Sequence, residues 1–286
     1  MRTSSWRLLA RNPVTLVSAL VLLGVAVVAL TADWVAPHGV NDINVPNALQ
    51  PPSGSHWLGT DELGRDILSR VIVAIQASMR IAVVSVVFAV LVGVTVGVVA
   101  GYRGGWLDTV LMRVIDVMFA FPVLLLALAV VAILGPGVTT TMLAIGIVYT
   151  PIFARVARAS TLGVRTEPYV SASRAMGSGD LYILRRHVLP NIAGPLIVQT
   201  SLSLAFAILS EAALSFLGLG IQPPEPSLGR MIFDSQGFVT MAWWMAVFPG
   251  AAIFVIVLAF NMFGDGLRDV LDPKQRTTVE ARRSAQ

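Results

Sequence analysis

Cysteine is absent from this chain, which excludes disulfides, thiolate-ligated zinc and thiol catalysis. Lysine occurs once, at Lys274, so no Gly-Lys-Ser/Thr phosphate loop can be written and the chain is not itself a P-loop ATPase. Charge is scarce throughout: Asp, Glu, Lys and Arg make up 13% of residues, against about 25% in soluble domains. What fills the space is apolar, at 56% of residues with a mean hydropathy of +0.78. These proportions describe a membrane protein. The basic pI of 10.1 would suggest nucleic acid in a soluble protein. Here the placement of charge between spans accounts for it without a nucleic-acid partner.

Residues 1 to 13 carry Arg2, Arg7 and Arg11 and precede an uncharged run from Val14 to Ala32. That run exceeds a signal-peptide core of roughly 7 to 15 residues and approaches the roughly 20 that cross a bilayer, so it reads as a retained first helix. The polar stretch 33–78 follows. In it Pro46, Pro51, Pro52 and Gly54 oppose a helix, while Asp61 and Glu62 could cap a short amphipathic helix with Leu63, Ile67, Val71 and Ile75 on one face. It is expected to lie along the outer membrane surface, with Asp61, Glu62, Arg65 and Asp66 on a solvated, mutually paired helix face.

Further spans read as Ile81 to Tyr102, Val117 to Leu134 with a kink at Pro122, Val138 to Ala154, Ile192 to about Gly218, and Met241 to Phe263. Trp243 and Trp244 would anchor the last one at its interface. Residues 79–265 thus form a five-helix core after the first helix, and 266–286 form a charged tail. With the N terminus inside, sixteen of the twenty basic residues face the cytoplasm and four (Arg65, Arg70, Arg80 and Arg230) lie outside. The positive-inside rule selects that orientation, with both termini cytoplasmic.

One segment stands out between the fourth and fifth spans. Residues 165–190 form an Arg-rich island in which Ser171, Ala172, Ser173 and Ala175 are interleaved with Arg174. Gly177, Ser178 and Gly179 then break the pattern, and Leu181 to Val188 resumes it before Pro190. Two short helices with a bend are expected. Small side chains on such a helix let a partner's groove approach its backbone, and the arginines supply electrostatic register. A plain basic loop obeying the positive-inside rule would share the charge.

The spacing of Ala172, Gly177 and Leu189-Pro190 resembles the cytoplasmic EAA loop of ABC-importer permeases, with Ser171-Ala172-Ser173 standing where that family has Glu-Ala-Ala. Two further stretches, HWLGTDELGRDILSR before the second span and SEAALSFLGLGIQPPEPSLGRMI after residue 209, resemble the "C" type permease of the dipeptide, oligopeptide and nickel importers. The resemblance covers roughly residues 50 to 270. It implies an all-α integral membrane protein of six transmembrane helices with the methionine-importer-like (type I) permease fold, in a bacterial inner membrane.

It further implies a second homologous permease completing the pathway, two ATPase subunits that hold ATP and magnesium, and an extracytoplasmic binding protein. By motif position the coupling residues would be Tyr169, Ser171, Ala172, Arg174, Gly177, Arg185, Arg186, Leu189 and Pro190. None does bond chemistry, so the chain is expected to be no enzyme and to bind no cofactor of its own. Di- and oligopeptides are the first choice of cargo; nickel or another small solute fits the same architecture. A proton- or sodium-coupled carrier would be expected to carry ionisable groups at span centres, which are charge-free here.

Glu211 lies about 30 Å along the fifth span from Asn191, near the far surface. It is read either as a carboxylate hydrogen-bonded to the next helix or as a residue at an outer gate. Gly93 and Gly97 allow close helix packing, within the chain or between subunits. His38 and His56, eighteen residues apart and without cysteine, are a weak metal signal, and no metal site is assigned. His187 reads as a partner-contact or helix-end residue.

Overall fold

The computed structural model describes residues 12–271, so the basic residues before Asn12 and the tail after Leu271 lie outside the described part. The elements are helices: α1 (Pro13–Val35), α2 (Ile67–Arg103), α3 (Gly105–Phe119), α4 (Val123–Leu134), α5 (Val138–Arg165), α6 (Pro168–Ala175), α7 (Asp180–Phe216), α8 (Leu228–Asp234) and α9 (Trp244–Leu271). Within the described residues α1, α2, α5, α7 and α9 are long and apolar enough to cross a membrane, and the bent pair α3 and α4 makes six if it is one span. Apolar runs become helices because no other open segment satisfies its own backbone in lipid.

Boundaries differ from the sequence expectation in several places; α9, for one, runs to Leu271, past the expected end at Phe263 and into the stretch read as the charged tail 266–286. The short surface helix is not a separate element. Asp66, not Asp61 or Glu62, caps the chain by accepting from Ser69 N, and the 37-residue α2 then runs through the second span without interruption. The third span is not a kinked rod either, because α3 and α4 meet at 90° across residues 120–122. Pro122 biases the residue before it away from helical geometry, and α4, with 12 residues, measures about 18 Å against a core of about 30 Å. Finally, Pro190 does not separate two helices. A wide π-type turn over Leu184–Val188 relieves the clash that proline would make upstream, Asn191 Nδ2 donates to the His187 carbonyl, and the helix continues to Phe216.

Packing centres on α2 against α5. A Cβ at Gly93, Gly97 or Gly101 would run into the carbonyl oxygens of Thr150, Ala154 and Arg158, so the glycine stripe serves contact within the chain. Around this seam Ile81, Val86 and Ala89 of α2, Val131 of α4, Ile145 and Phe153 of α5, Ile208 and Leu214 of α7, and Ile256 of α9 form the buried core. Large apolar side chains such as Leu23, Leu91, Ile133 and Phe254 point outward instead. Outward apolar surface of this extent suits lipid or another subunit, not water.

Candidate functional site

The Arg-rich bend is built from inside out. Val170 and Ser173 of α6 and Ile183 and Val188 of α7 are buried, and the apolar members of this set pack with Val98, Tyr102, Ala157 and Ile192 from α2, α5 and α7. These residues sit three to five apart in sequence, so one face of each short helix is held against the body. The remaining faces are free. Tyr169, Ser171, Ala172, Arg174, Gly177, Arg185, Arg186, Leu189 and Pro190 are all exposed, and all belong to this one segment. Leu181, Tyr182, Arg185 and Arg186 line a shallow depression there.

The turn between α6 and α7 depends on Gly177, whose φ of +83° is a left-handed conformation that side chains with a Cβ resist. Met176 N and Gly177 N donate to the Ala172 and Arg174 carbonyls, and Ser178 N donates to Ser173 O, closing the end of α6. Two polar ties, which the sequence offered no means of pairing, hold the bend to α2. Tyr102 donates its hydroxyl to Asp180 Oδ1 at 2.8 Å and accepts from Arg174 Nη2 at 3.3 Å. Arg165 Nη1 donates to the Gly101 and Tyr102 carbonyls at 3.0 Å, so the end of α5 caps the end of α2. Nearby, Arg158 grips Asp108 of α3 through two bonds of 2.5 and 2.6 Å. His187 sits between the rings of Tyr169 and Tyr182, at 5.7 and 5.9 Å.

At the opposite end the polar residues are enclosed. Glu211 has no exposure: Ser78 of α2 donates to one carboxylate oxygen at 2.6 Å and Ser215 of its own helix to the other at 2.8 Å. Its partner helix is therefore α2 and not the next helix in the chain. In this conformation solute does not reach the carboxylate. Asp61, Arg65, Asp66 and Arg70 are buried too, at 4, 9, 3 and 4% exposure, which corrects the expectation of a solvated helix face. Asp61 accepts from Leu63 N, Arg65 N and Arg65 Nε, and lies 3.5 Å from Arg70 Nε. Glu62 accepts from Arg65 Nη2, while burial, reinforced by the Asp61 charge, raises its carboxyl above the ordinary range.

Trp244 is likewise no interfacial anchor. It is buried and donates Nε1 to Thr60 O at 3.1 Å, pinning the 36–66 segment to α9, whereas Trp243 is exposed. His38 and His56 lie together beside Asp66, with ring centroids 4.8 Å apart.

These features can be set against known proteins. Residues 93–277 match the family model described as binding-protein-dependent transport system inner membrane component, and residues 2–52 match that of the N-terminal TM domain of oligopeptide transport permease C. The dipeptide transport system permease protein DppC of Alkalihalophilus pseudofirmus is 42% identical over 96% of this chain and 91% of its own. The glutathione transport system permease protein GsiD of Escherichia coli is 44% identical over 94% of this chain and 89% of its own. In three dimensions the fold is similar to a chain of the inward-facing MetNI methionine ABC transporter, with a TM-score of 0.61 and 18% identity over 72% of this chain and 98% of that one. A membrane subunit helical through its described residues, without a phosphate loop and matched along most of its length in this way, belongs to the binding-protein-dependent inner membrane component family, the permease subunits of ABC importers, in its dipeptide and oligopeptide branch.

Proposed function

We propose that this permease imports short peptides as one half of a translocation pathway, and that residues 165–190 transmit the movement of separate ATPase subunits. The observation that carries this reading is the division of labour in the bend. Its buried face fixes it to α2 and α5, while all nine residues singled out by motif position are presented outward on one segment. Small side chains at Ser171, Ala172 and Gly177 leave room for a close-fitting partner groove. Arg174, Arg185 and Arg186 offer charge to acidic groups on it.

A second homologous permease would cover outward apolar side chains of the bundle, and an extracytoplasmic binding protein would deliver the cargo to the end that holds Asp61 and Glu211. This orientation follows the distribution of arginines, with the bend and both termini cytoplasmic. Peptide is favoured as cargo because both named relatives are transport permeases for short peptides, dipeptides in one and glutathione in the other. The transmitted motion would run along α5 and α7, which enter and leave the bend. Glu211, closed off in this conformation, is proposed to line the outer gate only after α2 and α7 separate.

The test is ATP hydrolysis by the copurified complex in liposomes, challenged with di- to pentapeptides and with nickel. Stimulation by peptides that requires the binding protein is the expected result. ATPase activity raised by nickel or another solute alone would overturn the cargo, and a chain that copurifies with no ATPase would overturn the role of the bend.

A further inference from the structure

We propose that His38, His56 and Asp66 form a binding site for one divalent transition-metal ion of the zinc class, at the end of the bundle opposite the Arg-rich bend. One ligand atom from each of the three residues can be chosen so that all lie within 4.8 Å of one another. His56 Nδ1 is 2.9 Å from Asp66 Oδ1, and His38 Nδ1 is 3.6 Å from Asp66 Oδ2. Tetrahedral bonds of about 2.0–2.1 Å place neighbouring ligand atoms about 3.3 Å apart. The two separations, each to a different oxygen of the one carboxylate, lie on either side of that value.

The three residues come from three separate places in the chain and each is held by its own backbone. His38 N donates to Ser69 Oγ, His56 N donates to Ser53 Oγ, and Asp66 caps α2. Capping occupies only one carboxylate oxygen. Oδ2 accepts from Ser69 N and Ser69 Oγ and is also the oxygen nearer His38, while Oδ1 is left to the His56 imidazole. The neighbouring guanidinium of Arg65 is engaged by Asp61 and Glu62, and that of Arg70 faces Asp61 and the Val40 carbonyl. No arginine therefore competes for Asp66 in the described contacts.

The site is also graded from closed to open. The side chain of Asp66 is 1% exposed, that of His56 13% and that of His38 41%, so an ion can enter from the His38 side and keep a water as its fourth ligand. Two imidazoles and one carboxylate suit zinc, and by the same ligand chemistry nickel or copper, but not calcium or magnesium. A bound ion would replace the proton shared by His56 and Asp66 and would tie three points of the 36–66 segment together. It would act as a clasp on the outer loop, independent of what the transporter carries.

The experiment uses the assembled transporter, purified through a tag free of histidine, stripped with chelator and equilibrated with Zn(II). Wild type should retain one more zinc per copy of this chain than the His38→Ala/His56→Ala complex, a difference that cancels ions held elsewhere in the assembly. Asp66→Asn keeps the helix cap, because asparagine caps as well as aspartate, and should weaken zinc on the order of tenfold or more. Co(II) loaded into wild type should give the intense visible absorption of a four-coordinate ion. Equal zinc in wild type and the double variant, or a Co(II) spectrum no different from the aquo ion, would overturn the proposal. Should the double variant fail to assemble, the Co(II) spectrum and Asp66→Asn decide.

Discussion

The two ends of this bundle handle charge in opposite ways. At the Arg-rich bend, Arg174, Arg185 and Arg186 are exposed, the first among small side chains and the other two beside Leu181 and Tyr182. At the other end Asp61, Arg65, Asp66, Arg70 and Glu211 are buried and answered by partners within the chain. An exposed cation adds little to its own fold through surface ion pairs, which contribute at most about 1 kcal/mol. A buried carboxylate that faces four donor atoms, as Asp61 does, cannot be removed without stranding them. The first arrangement suits a surface that another protein must meet. The second suits one that has to keep its shape without help.

Mutations should break the two ends differently. The largest effect is expected at Asp61→Ala, which leaves Arg70 buried without its carboxylate and Arg65 with Glu62 alone. Loss of one partner of a buried pair costs about 3–5 kcal/mol, so the chain should disappear from the membrane or melt far earlier in detergent. Normal abundance and melting would show that the network is dispensable. Gly177→Val comes next. The site around Gly177 is open, so the cost is the left-handed backbone alone, about 1–2 kcal/mol. The complex should therefore still assemble and hydrolyse ATP, while peptide uptake in vesicles collapses. Uptake at the wild-type rate would remove the bend from the mechanism.

The smallest effect sharpens the contrast. Tyr102→Phe deletes the hydroxyl shared by Asp180 and Arg174 but keeps the buried ring, at a cost of about 1 kcal/mol. Abundance should hold while the ATP consumed per peptide imported rises, because the bend is then tied to α2 less firmly. An unchanged ratio would make the tie merely structural.

What the sequence made legible follows the range of the forces involved. Long uncharged runs announce spans because the bilayer reads them locally, and α1, α5 and the body of α7 lie where they were expected. The exposed set in the bend was legible for the same reason: small residues, arginines and Gly177 are consecutive in the chain. Pro122 was visible too, but a proline in a span marks either a kink or a break, and only the packing of α4 on α5 selects the 90° turn. Asp66 rather than Asp61 caps α2 because Asp61 is drawn into the loop by Leu63 N and Arg65, an interaction that helix patterns do not reveal. Pairings across long separations were beyond reach. Tyr102 with Asp180, Ser78 with Glu211 and Trp244 with Thr60 each join residues more than seventy apart, and nothing local marks one residue as the other's partner.

The uninterrupted course of α7 has a mechanical consequence. From Asp180 in the bend to Glu211 the chain makes no loop, so the two are ends of one rod about 46 Å long. A tilt imposed on the bend would be carried toward the buried carboxylate along one helix backbone, with no relay of side chains in between. The rod has two soft points, the wide turn at Leu184–Val188 and Pro195, and both lie in its first half. Beyond Pro195 no further proline softens the rod, so bending near the bend would be damped while rotation of the whole shaft would pass through to the grip that Ser78 has on Glu211.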